Sequence, residues 1–425
     1  MRKGADVVAV VDFGARAIRV LIARRMPDGT IEVIGHGQAA SNGCVSQGVI
    51  QDLAAAQSAL GRALSDAEKE ARTRVYSVFC GIHGKHVNTF IREATVDLEG
   101  EECRVEDMDE AFAAAAADLH QEGTRLTASL AAQEWHIDGL RVREPLGIRG
   151  QKLHTRIHFA RMPSFFEDNL SHCIEMRGCD MEDMVFTPIA SSLGCLTAED
   201  MELGVAVLDM GRSSTGLAVY RDHSIQGTAC FEWGAFHLTR DVAAGLQISF
   251  NEADDLVIEY GIGSEAVIEH EAALEGTTNR PVPFREEPSP RVKLRSAVPG
   301  ARSIVERSEL DSIIHDRAVE LLTEARQHLK STGLSQHLVR GVVLTGGASS
   351  LKNFVTLAET IFQVPCRRGE PIAVSHLPHA VQGPEWSAAV GIMRHAFDYR
   401  TAERHGRGEE GLGRKVQRVI SKYFF

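Results

Sequence analysis

The chain has 425 residues, of which 44% are hydrophobic and 24% are charged. This is the balance of a soluble globular protein with room for several domains. The 58 acidic residues outnumber the 46 basic ones and give a formal net charge of −12. An acidic body argues against nucleic acid as a main partner, because a phosphate backbone attracts a basic surface. No apolar run is long enough for a membrane-spanning helix.

The first half begins with β-branched apolar runs that predict a strand meander. Strands are predicted at 7–11, 18–23 and 30–37, then a helix at 52–71 and a strand at 75–80. A strand at 94–98, a helix at 105–119 and alternating segments at 129–137 and 154–160 follow. This middle portion predicts an inserted α+β subdomain. Helices are then predicted at 165–177 and near 189–196.

The second half repeats the opening pattern. A predicted strand at 203–208 leads into Asp209, and a second strand follows at 216–220. The segment VVAVVDFG near the start matches GVAVLDMG here, so we interpret the two halves as duplicated domains. The proline-rich stretch 276–303 predicts a long loop. A helix at 310–329, a strand at 339–344 and a helix at 351–362 complete this half.

The last fourteen residues predict a short basic amphipathic helix. Their apolar stripe consists of Leu412, Val416, Val419, Ile420, Tyr423 and Phe424, and their cations are Arg414, Lys415, Arg418 and Lys422. Such a segment suits an anionic membrane surface; the alternative is a terminal helix docked on its own domain. The polar, glycine-rich residues 402–413 that precede it indicate a flexible linker, which favours the membrane.

Three strand ends carry the chemistry of a nucleotide cleft. Asp12 and Asp209 each end a buried strand and could hold a hydrated Mg²⁺ beside phosphates. Gly346 and Gly347 follow the third strand, where glycine lets the backbone approach a base or ribose. A single Asp-x-Gly turn carries little information, but three strand-terminal copies in this order predict a shared nucleotide site.

With these three loops the chain resembles the actin/Hsp70/sugar-kinase superfamily, and within it the FtsA family of bacterial cell division proteins. The motifs are the 37–48 turn region, GIHGKH at 81–86, QEWHID at 133–138, PLG at 145–147 through His158, ASS at 190–192 and VVLTGGAS at 342–349. The resemblance implies an α/β fold: twin actin-like, ribonuclease-H-like domains, an inserted α+β subdomain in the first half and a C-terminal amphipathic helix.

The resemblance also implies domain boundaries. The first core is expected at 6–82 and 163–200, with its insertion at 83–162. The second core is expected at 201–230 and 335–398, with a second insertion at 231–334, a linker at 399–411 and the membrane helix at 412–425.

The phosphate loops depart from the family pattern. A hydroxyl residue is usual after the first glycine, where this chain has Ala15 and Arg16; two glycines of the second loop are replaced by Arg212 and Ser213. The two arginines could neutralise phosphate charge or fill the cleft. The resemblance therefore implies bound ATP and Mg²⁺ with weak or absent turnover. Its expected nucleotide contacts are Asp12, Gly14, Ala15, Arg16, Asp209, Gly211, Arg212, Ser213, Ser214, Thr215, Asp254, Gly346, Gly347 and Ala348.

The family resemblance implies a role and partners. The role is to tether FtsZ filaments to the cytoplasmic face of the inner membrane at the division septum. The FtsZ C-terminal peptide is expected on the second insertion, with Arg302 and Arg307 as candidate contacts, although an ordinary solvated helix face is an alternative. Anionic lipids, actin-like self-association and downstream division proteins are implied as well. The alternatives are a catalytic ATPase or sugar kinase, or a pilus-assembly relative that would lack the terminal helix.

Overall fold

The computed structural model describes residues 6–98, 100, 102–263, 290–295, 302–372 and 375–405. The predicted membrane helix at 412–425 and most of the predicted loop at 276–303 lie outside these ranges. Within them, none of the helices combines the length and the hydropathy needed to cross a membrane.

The described residues form a mixed α/β structure. The strands are β1 (Asp6–Phe13), β2 (Ala17–Arg25), β3 (Ile31–Ala40), β4 (Val45–Ser46), β5 (Val49–Ile50), β6 (Ser77–Ile82), β7 (Asn88–Asp97), β8 (Thr124–Ile137), β9 (Leu140–Val142), β10 (Lys152–Pro163), β11 (Asp180–Phe186), β12 (Val205–Met210), β13 (Thr215–Arg221), β14 (Ser224–Phe231), β15 (Arg291–Lys293), β16 (Ile304–Glu306), β17 (Val342–Thr345) and β18 (Cys366–Arg368). The helices are α1 (Leu53–Ala71), α2 (Val105–Ala116), α3 (Ser164–Glu175), α4 (Thr187–Cys195), α5 (Ala198–Leu203), α6 (Ala235–Leu246), α7 (Phe250–Tyr260), α8 (Arg307–Ser331), α9 (Phe354–Phe362) and α10 (Ser387–His405).

Two five-stranded sheets with the same topology form the two halves. The first has the order β3-β2-β1-β6-β11 and the second β14-β13-β12-β17-β18. In each, three antiparallel strands precede two parallel ones. The strand carrying Asp12 and the strand carrying Asp209 occupy the same central position. The predicted duplication is therefore confirmed at the level of topology.

Close helix packing in the first half depends on small residues. Asp52 caps α1, its side chain accepting a hydrogen bond from the Ala55 amide at 3.0 Å. The helix lies directly on β3: a Cβ at Gly37 would stand 1.9 Å from the carbonyl oxygen of Ala63. The alanine face of α1 and the glycines of β3 are therefore complementary, and a larger residue at Gly37 would force them apart.

The insertion between β6 and α3 is a four-stranded antiparallel sheet with the order β7-β10-β8-β9. Helix α2 covers it, and Phe112 packs edge-on against Phe159 with ring centroids 5.3 Å apart. This agrees with the α+β subdomain predicted for the middle of the chain. Its side chains also reach the second half, as described below.

The structure corrects several boundaries. Residues 379–405 were divided between the second core and the linker, but Val381, Trp386 and Phe397 belong to the same buried cluster as Val8 and Val10 of β1. Helix α10 therefore returns to the first half, and the predicted linker at 399–411 is helical as far as its residue 405.

Smaller differences arise where local pattern and hydrogen bonding disagree. Leu203 ends helix α5 instead of beginning a strand. Asp12 and Asp209 occupy the second-to-last paired positions of β1 and β12, so they lie within the strands and not in the turns. Part of the predicted 276–303 loop is strand β15, which pairs with β16. Gly347 begins only a single 3-10 turn, because the α-helix that follows starts at Phe354.

Candidate functional site

The carboxylates of Asp12 and Asp209, near the ends of β1 and β12, interact electrostatically at the junction of the two halves. Asp12 is buried, with its Oδ2 3.7 Å from Nη1 of Arg19 on the paired strand. Burial raises the pKa of Asp12, against the lowering effects of Arg19 and His83. The two strand ends thus place a pair of acidic groups in one low-dielectric region.

The pKa of Asp209 is perturbed in the same direction. Burial raises its pKa to about 6; a hydrogen bond donated by the Ser191 hydroxyl lowers it, the charge of Asp12 raises it and Arg19 lowers it. A carboxylate that interacts with a second carboxylate in a buried place is a natural position for a divalent cation. In the described part of the chain, no cluster of three or more acidic, histidine or cysteine side chains could enclose a metal. Two carboxylates suit a cation that keeps its waters.

Glycine is required at the third loop. Gly346 has φ +77°, and a Cβ there would stand 2.3 Å from Oδ1 of Asp209. At Gly347, by contrast, a Cβ would meet no atom within 4 Å, so this backbone faces open space. Ala348 behind it is buried. The loop therefore presses against the carboxylate on one side and offers a clear approach on the other.

The two arginines that depart from the family pattern are joined through Asp254. Nη1 of Arg16, from the first half, donates to Oδ2 of Asp254 at 2.8 Å. Nη1 of Arg212, from the second half, donates to Oδ1 of the same carboxylate at 2.8 Å. Thr239 donates to that Oδ1 at 3.0 Å. Both guanidinium groups therefore bind a protein carboxylate, and the bond from Arg16 crosses the cleft between the halves.

The hydroxyls of the second phosphate loop also have protein partners. Thr215 is buried and donates to the carbonyl of Trp233 at 2.8 Å. Ser213 accepts a hydrogen bond from the backbone amide of Gln47 at 2.8 Å, which again links the halves. Ser214 is buried beside them, and its carbonyl accepts from the amide of Gly211 at 3.0 Å. Gly14 and Ala15 lie half-buried in the first loop.

Three residues at this site were missed from the sequence. Arg19 contacts Asp12, Ser191 contacts Asp209 and Thr239 contacts Asp254. Ser191 lies in the Ala-Ser-Ser motif at 190–192, which supports the family resemblance but predicts no contact for this side chain. Strand pairing offers a signal for Arg19, because a two-strand hairpin places it opposite Asp12. Nothing local indicates Thr239, which depends on the packing of α6 against α7.

The insertion contacts the second half at a distance from the cleft. Arg156 Nη1 donates to the carbonyl of Ile225 at 2.7 Å and to Oε1 of Glu134 at 2.7 Å. His158 Nε2 lies 2.9 Å from the Thr228 hydroxyl. Burial lowers the pKa of His158 to about 4, so its ring is neutral at physiological pH. These contacts join the inserted sheet to β14.

The candidate peptide contacts both have acidic neighbours. Arg302 makes two hydrogen bonds to Glu309, at 2.8 and 2.6 Å. Arg307 pairs with Asp311 at 2.7 Å and lies 4.3 Å from the ring centroid of Tyr260. An acidic peptide that used either arginine would compete with these carboxylates.

The repeated sheets and the paired carboxylates define an actin-like ATPase fold. A PilM–PilN type IV pilus biogenesis complex contains a chain with a TM-score of 0.63 and 17% identity, covering 92% of this chain and 98% of that one. The MreB 5 structure of Spiroplasma citri bound to AMPPNP gives a TM-score of 0.53 at 13% identity, covering 94% and 98%. At such identities the likeness shows the fold alone.

The family follows from sequence. A family model described as cell division protein FtsA matches residues 206–391, and a model of the SHS2 domain inserted in FtsA matches residues 84–160. Cell division protein FtsA of Rhizobium meliloti is 31% identical over 402 residues, covering 92% of this chain and 87% of the relative. Those of Neisseria meningitidis and Pseudomonas aeruginosa are each 29% identical, with coverage of 98% and 98%, and of 92% and 89%. The chain belongs to the FtsA family of cell division proteins.

Proposed function

We propose that this protein binds ATP, assembles in an actin-like way and tethers FtsZ filaments to the cytoplasmic face of the inner membrane at the septum, where later division proteins join. The observation that carries the proposal is the path of the last helix. Helix α10 packs on the first half as far as Tyr399 and ends at residue 405, shortly before the basic amphipathic segment 412–425. The body is thus joined by a short stretch of chain to a segment suited to an anionic surface.

Membrane attachment rests on the chemistry of that segment. Each cation near an anionic surface contributes about 1 kcal/mol. Burying each large apolar side chain contributes about 1.5–3 kcal/mol, before the cost of ordering the segment. With four cations and six apolar positions in fourteen residues, the favourable terms exceed what a single lipid chain supplies.

Vesicle co-sedimentation tests the tether. Removal of residues 412–425 is expected to abolish binding to vesicles that contain an anionic phospholipid. Val419→Glu should do nearly the same, because it places a charge on the apolar stripe. Val419→Leu is the matched control and should bind like the unchanged chain. Equal sedimentation of the truncated and full-length proteins would refute the tether.

For the nucleotide, we propose the cleft between Asp12 and Asp209. The fit is supported by two observations: the carboxylate pair, in which Asp12 is buried and Asp209 partly buried and whose mutual repulsion a cation would relieve, and the open approach at Gly347. Asp12 and Asp209 would hold Mg²⁺ through water. Arg16 and Arg212 would leave Asp254 for the phosphates, which carry more charge. The bound metal would neutralise phosphate charge.

Turnover is proposed to be weak or absent. Phosphoryl transfer to water needs a group that orients the attacking water. The hydroxyls of Ser213 and Thr215 are bonded to Gln47 and Trp233. Nucleotide would then act through binding, by changing the contacts between the halves. Calorimetric titration with Mg-ATP, followed by assay of released phosphate, tests this: binding without appreciable release is expected.

We propose further that the FtsZ C-terminal peptide binds within 231–334. The exposed guanidinium of Arg302, with 57% of its side chain accessible, supports this contact. Fluorescence anisotropy with a labelled peptide should show weaker binding to Arg302→Glu. Arg221→Glu, which changes an exposed arginine paired with Asp222 outside 231–334, is the control. Equal affinity for all three proteins would exclude Arg302 as a contact.

A further inference from the structure

A groove on the outer edge of the first half is lined by cations. It has a volume of about 510 Å³ and runs between the end of α1 and the segments before β6 and β11. Its lining includes Lys69, Arg72, Arg74 and Arg177. The whole chain has a net charge of −12, so a groove lined by four cations differs in sign from the protein as a whole.

Two of these arginines have no acidic partner. In the ranges that the structure describes, neither Arg72 nor Arg74 forms an ion pair, whereas Arg302, Arg307 and many others do. Arg177 donates from Nε to the carbonyl of Gln57 at 2.9 Å. The groove's own acid, Glu68, accepts the amide of Val75 at 2.7 Å. The charges of Arg72 and Arg74 are therefore available to an outside anion.

Exposed apolar side chains border the same groove. Tyr76 is 68% exposed and lies under the guanidinium of Arg74, 5.6 Å from ring centroid to Cζ. Met176 is 61% exposed one residue before Arg177. An aromatic ring with a polar tip beside arginines is the composition that proteins place at a membrane–water interface.

The last helix ends at this edge. Arg400 donates to the carbonyl of Val7 at 2.6 Å and to Oε2 of Glu182 at 3.2 Å. Glu182 also accepts a hydrogen bond from Ser77, next to Tyr76. Because β1, β6 and β11 are parallel, their first residues share one edge of the sheet. The end of α10 and the cationic groove therefore lie on the same edge, away from Asp12.

The chain length limits how far this edge can stand from a membrane. Seven residue steps separate His405 from Leu412, and an extended chain spans at most about 25 Å over that number. If 412–425 lies in the bilayer surface, the edge from which α10 leads must face that surface at short range. The cations of the groove then lie towards the anionic headgroups.

We propose that the groove formed by Lys69, Arg72 and Arg74, with Tyr76 at its border, is a second membrane contact that binds the headgroups of anionic phospholipids. This rests on the proposed membrane attachment, since the tail brings the edge to the bilayer. The groove fixes which edge of the body faces the membrane.

The test compares R72Q/R74Q with the unchanged chain on vesicles of phosphatidylcholine containing phosphatidylglycerol. Each cation near the surface is worth about fivefold in partitioning, so the double variant should bind roughly 25-fold more weakly and R74Q alone about fivefold. Both side chains are exposed, so thermal unfolding should be unchanged. R143Q/K330Q removes two exposed cations elsewhere with the same change in net charge, and should bind like the unchanged chain.

The outcomes separate this proposal from the tether. If R72Q/R74Q and R143Q/K330Q bind equally, the groove is not a lipid contact, whatever the tail does. If removal of 412–425 leaves binding intact, the tether fails, and the groove is judged by adding R72Q/R74Q to that truncated chain. At high salt, which shortens the range of charge interactions to about 3 Å, the difference between R72Q/R74Q and the unchanged chain should shrink.

Discussion

Replacing Asp254 by asparagine should tighten ATP binding. In the structure this carboxylate holds Arg16 at 2.8 Å and Arg212 at 2.8 Å, one from each half. If the guanidinium groups are to reach phosphates, both bonds must first break. An asparagine side chain has no charge to hold them, so the arginines would be released in advance. The family resemblance implies instead that Asp254 contacts the nucleotide directly, and that role predicts the opposite effect.

The magnitude follows from exposure. The Arg16 side chain is 54% accessible, so its pair with Asp254 contributes only about 0.5 kcal/mol. Arg212 and Asp254 are 26% and 21% accessible, and a partly buried charged hydrogen bond contributes about 1.5 kcal/mol. Together they amount to about 2 kcal/mol, equivalent to roughly a 30-fold change in affinity. Thr239 keeps a hydrogen-bond partner in the amide oxygen, so its contribution should change little.

Calorimetric titration with Mg-ATP measures the effect. Asp255→Asn is the matched control, because this neighbouring carboxylate is 59% exposed and pairs with Arg295. We expect D254N to bind more tightly than both the unchanged chain and D255N. Weaker binding by D254N would show that the carboxylate contacts nucleotide directly, and equal binding would show that the arginine bridge does not oppose it. Either result refutes the reasoning.

The same substitution should destabilise the nucleotide-free protein. The pKa of Asp254 is lowered by the hydrogen bonds and charges of Arg212 and Arg16, which outweigh the opposing effect of burial. Because the pKa of Asp254 is lower in the folded state than in the unfolded state, where it is near 3.9, the bridge stabilises the fold at pH values above about 3.9. This contribution is lost as the pH falls through the pKa of the folded state. Thermal unfolding should therefore separate D254N from the unchanged chain at neutral pH, with the difference disappearing in acid.

Three further predictions concern other contacts of the site. Because burial raises the pKa of Asp209 to about 6, its ionisation reduces the free energy of unfolding as the pH rises from about 4 to 6. Asp209→Asn should therefore unfold at a higher temperature at pH 7, yet lose Mg-ATP binding. A lower unfolding temperature would contradict this. Gly346→Ala should lower the free energy of unfolding by about 1–3 kcal/mol, since its Cβ would meet Asp209, while Gly347→Ala should be tolerated in denaturant titration. Arg302→Gln should leave the unfolding temperature unchanged, because its ion pair with Glu309 is exposed; a clear decrease would show that Arg302 is structural.

Much of the architecture was predictable because it is repeated. The strand pattern before Asp12 recurs before Asp209, and both copies fold into the same sheet topology. Burial of apolar runs and the turns after them are local properties, so sequence reveals them. The return of α10 to the first half is not local: it depends on the fit of Trp386 and Phe397 against β1, some 380 residues earlier.

The strand-end positions of the candidate carboxylates and glycines were predictable, because strand ends and turns constrain residue type, but their contacts were not. The partner of Arg16 could not be found, because Asp254 is 238 positions away on another domain. Charge alone allowed both phosphate and carboxylate partners for the two arginines. Only the placement of α7 opposite the first loop distinguishes them in the structure.

The two groups of contacts between the halves have different chemistry, and this bears on how a bound nucleotide would act. At the cleft, Arg16 and Asp254 form a partly exposed ion pair that phosphates can replace. At the insertion, Arg156 and His158 contact a backbone carbonyl and a hydroxyl on β14, and Lys85 forms an exposed ion pair with Glu232 at 2.8 Å. His158 is buried. A ligand anion at the cleft would compete for the Arg16–Asp254 pair, whereas the buried contact between His158 and Thr228 offers it no ion pair to replace.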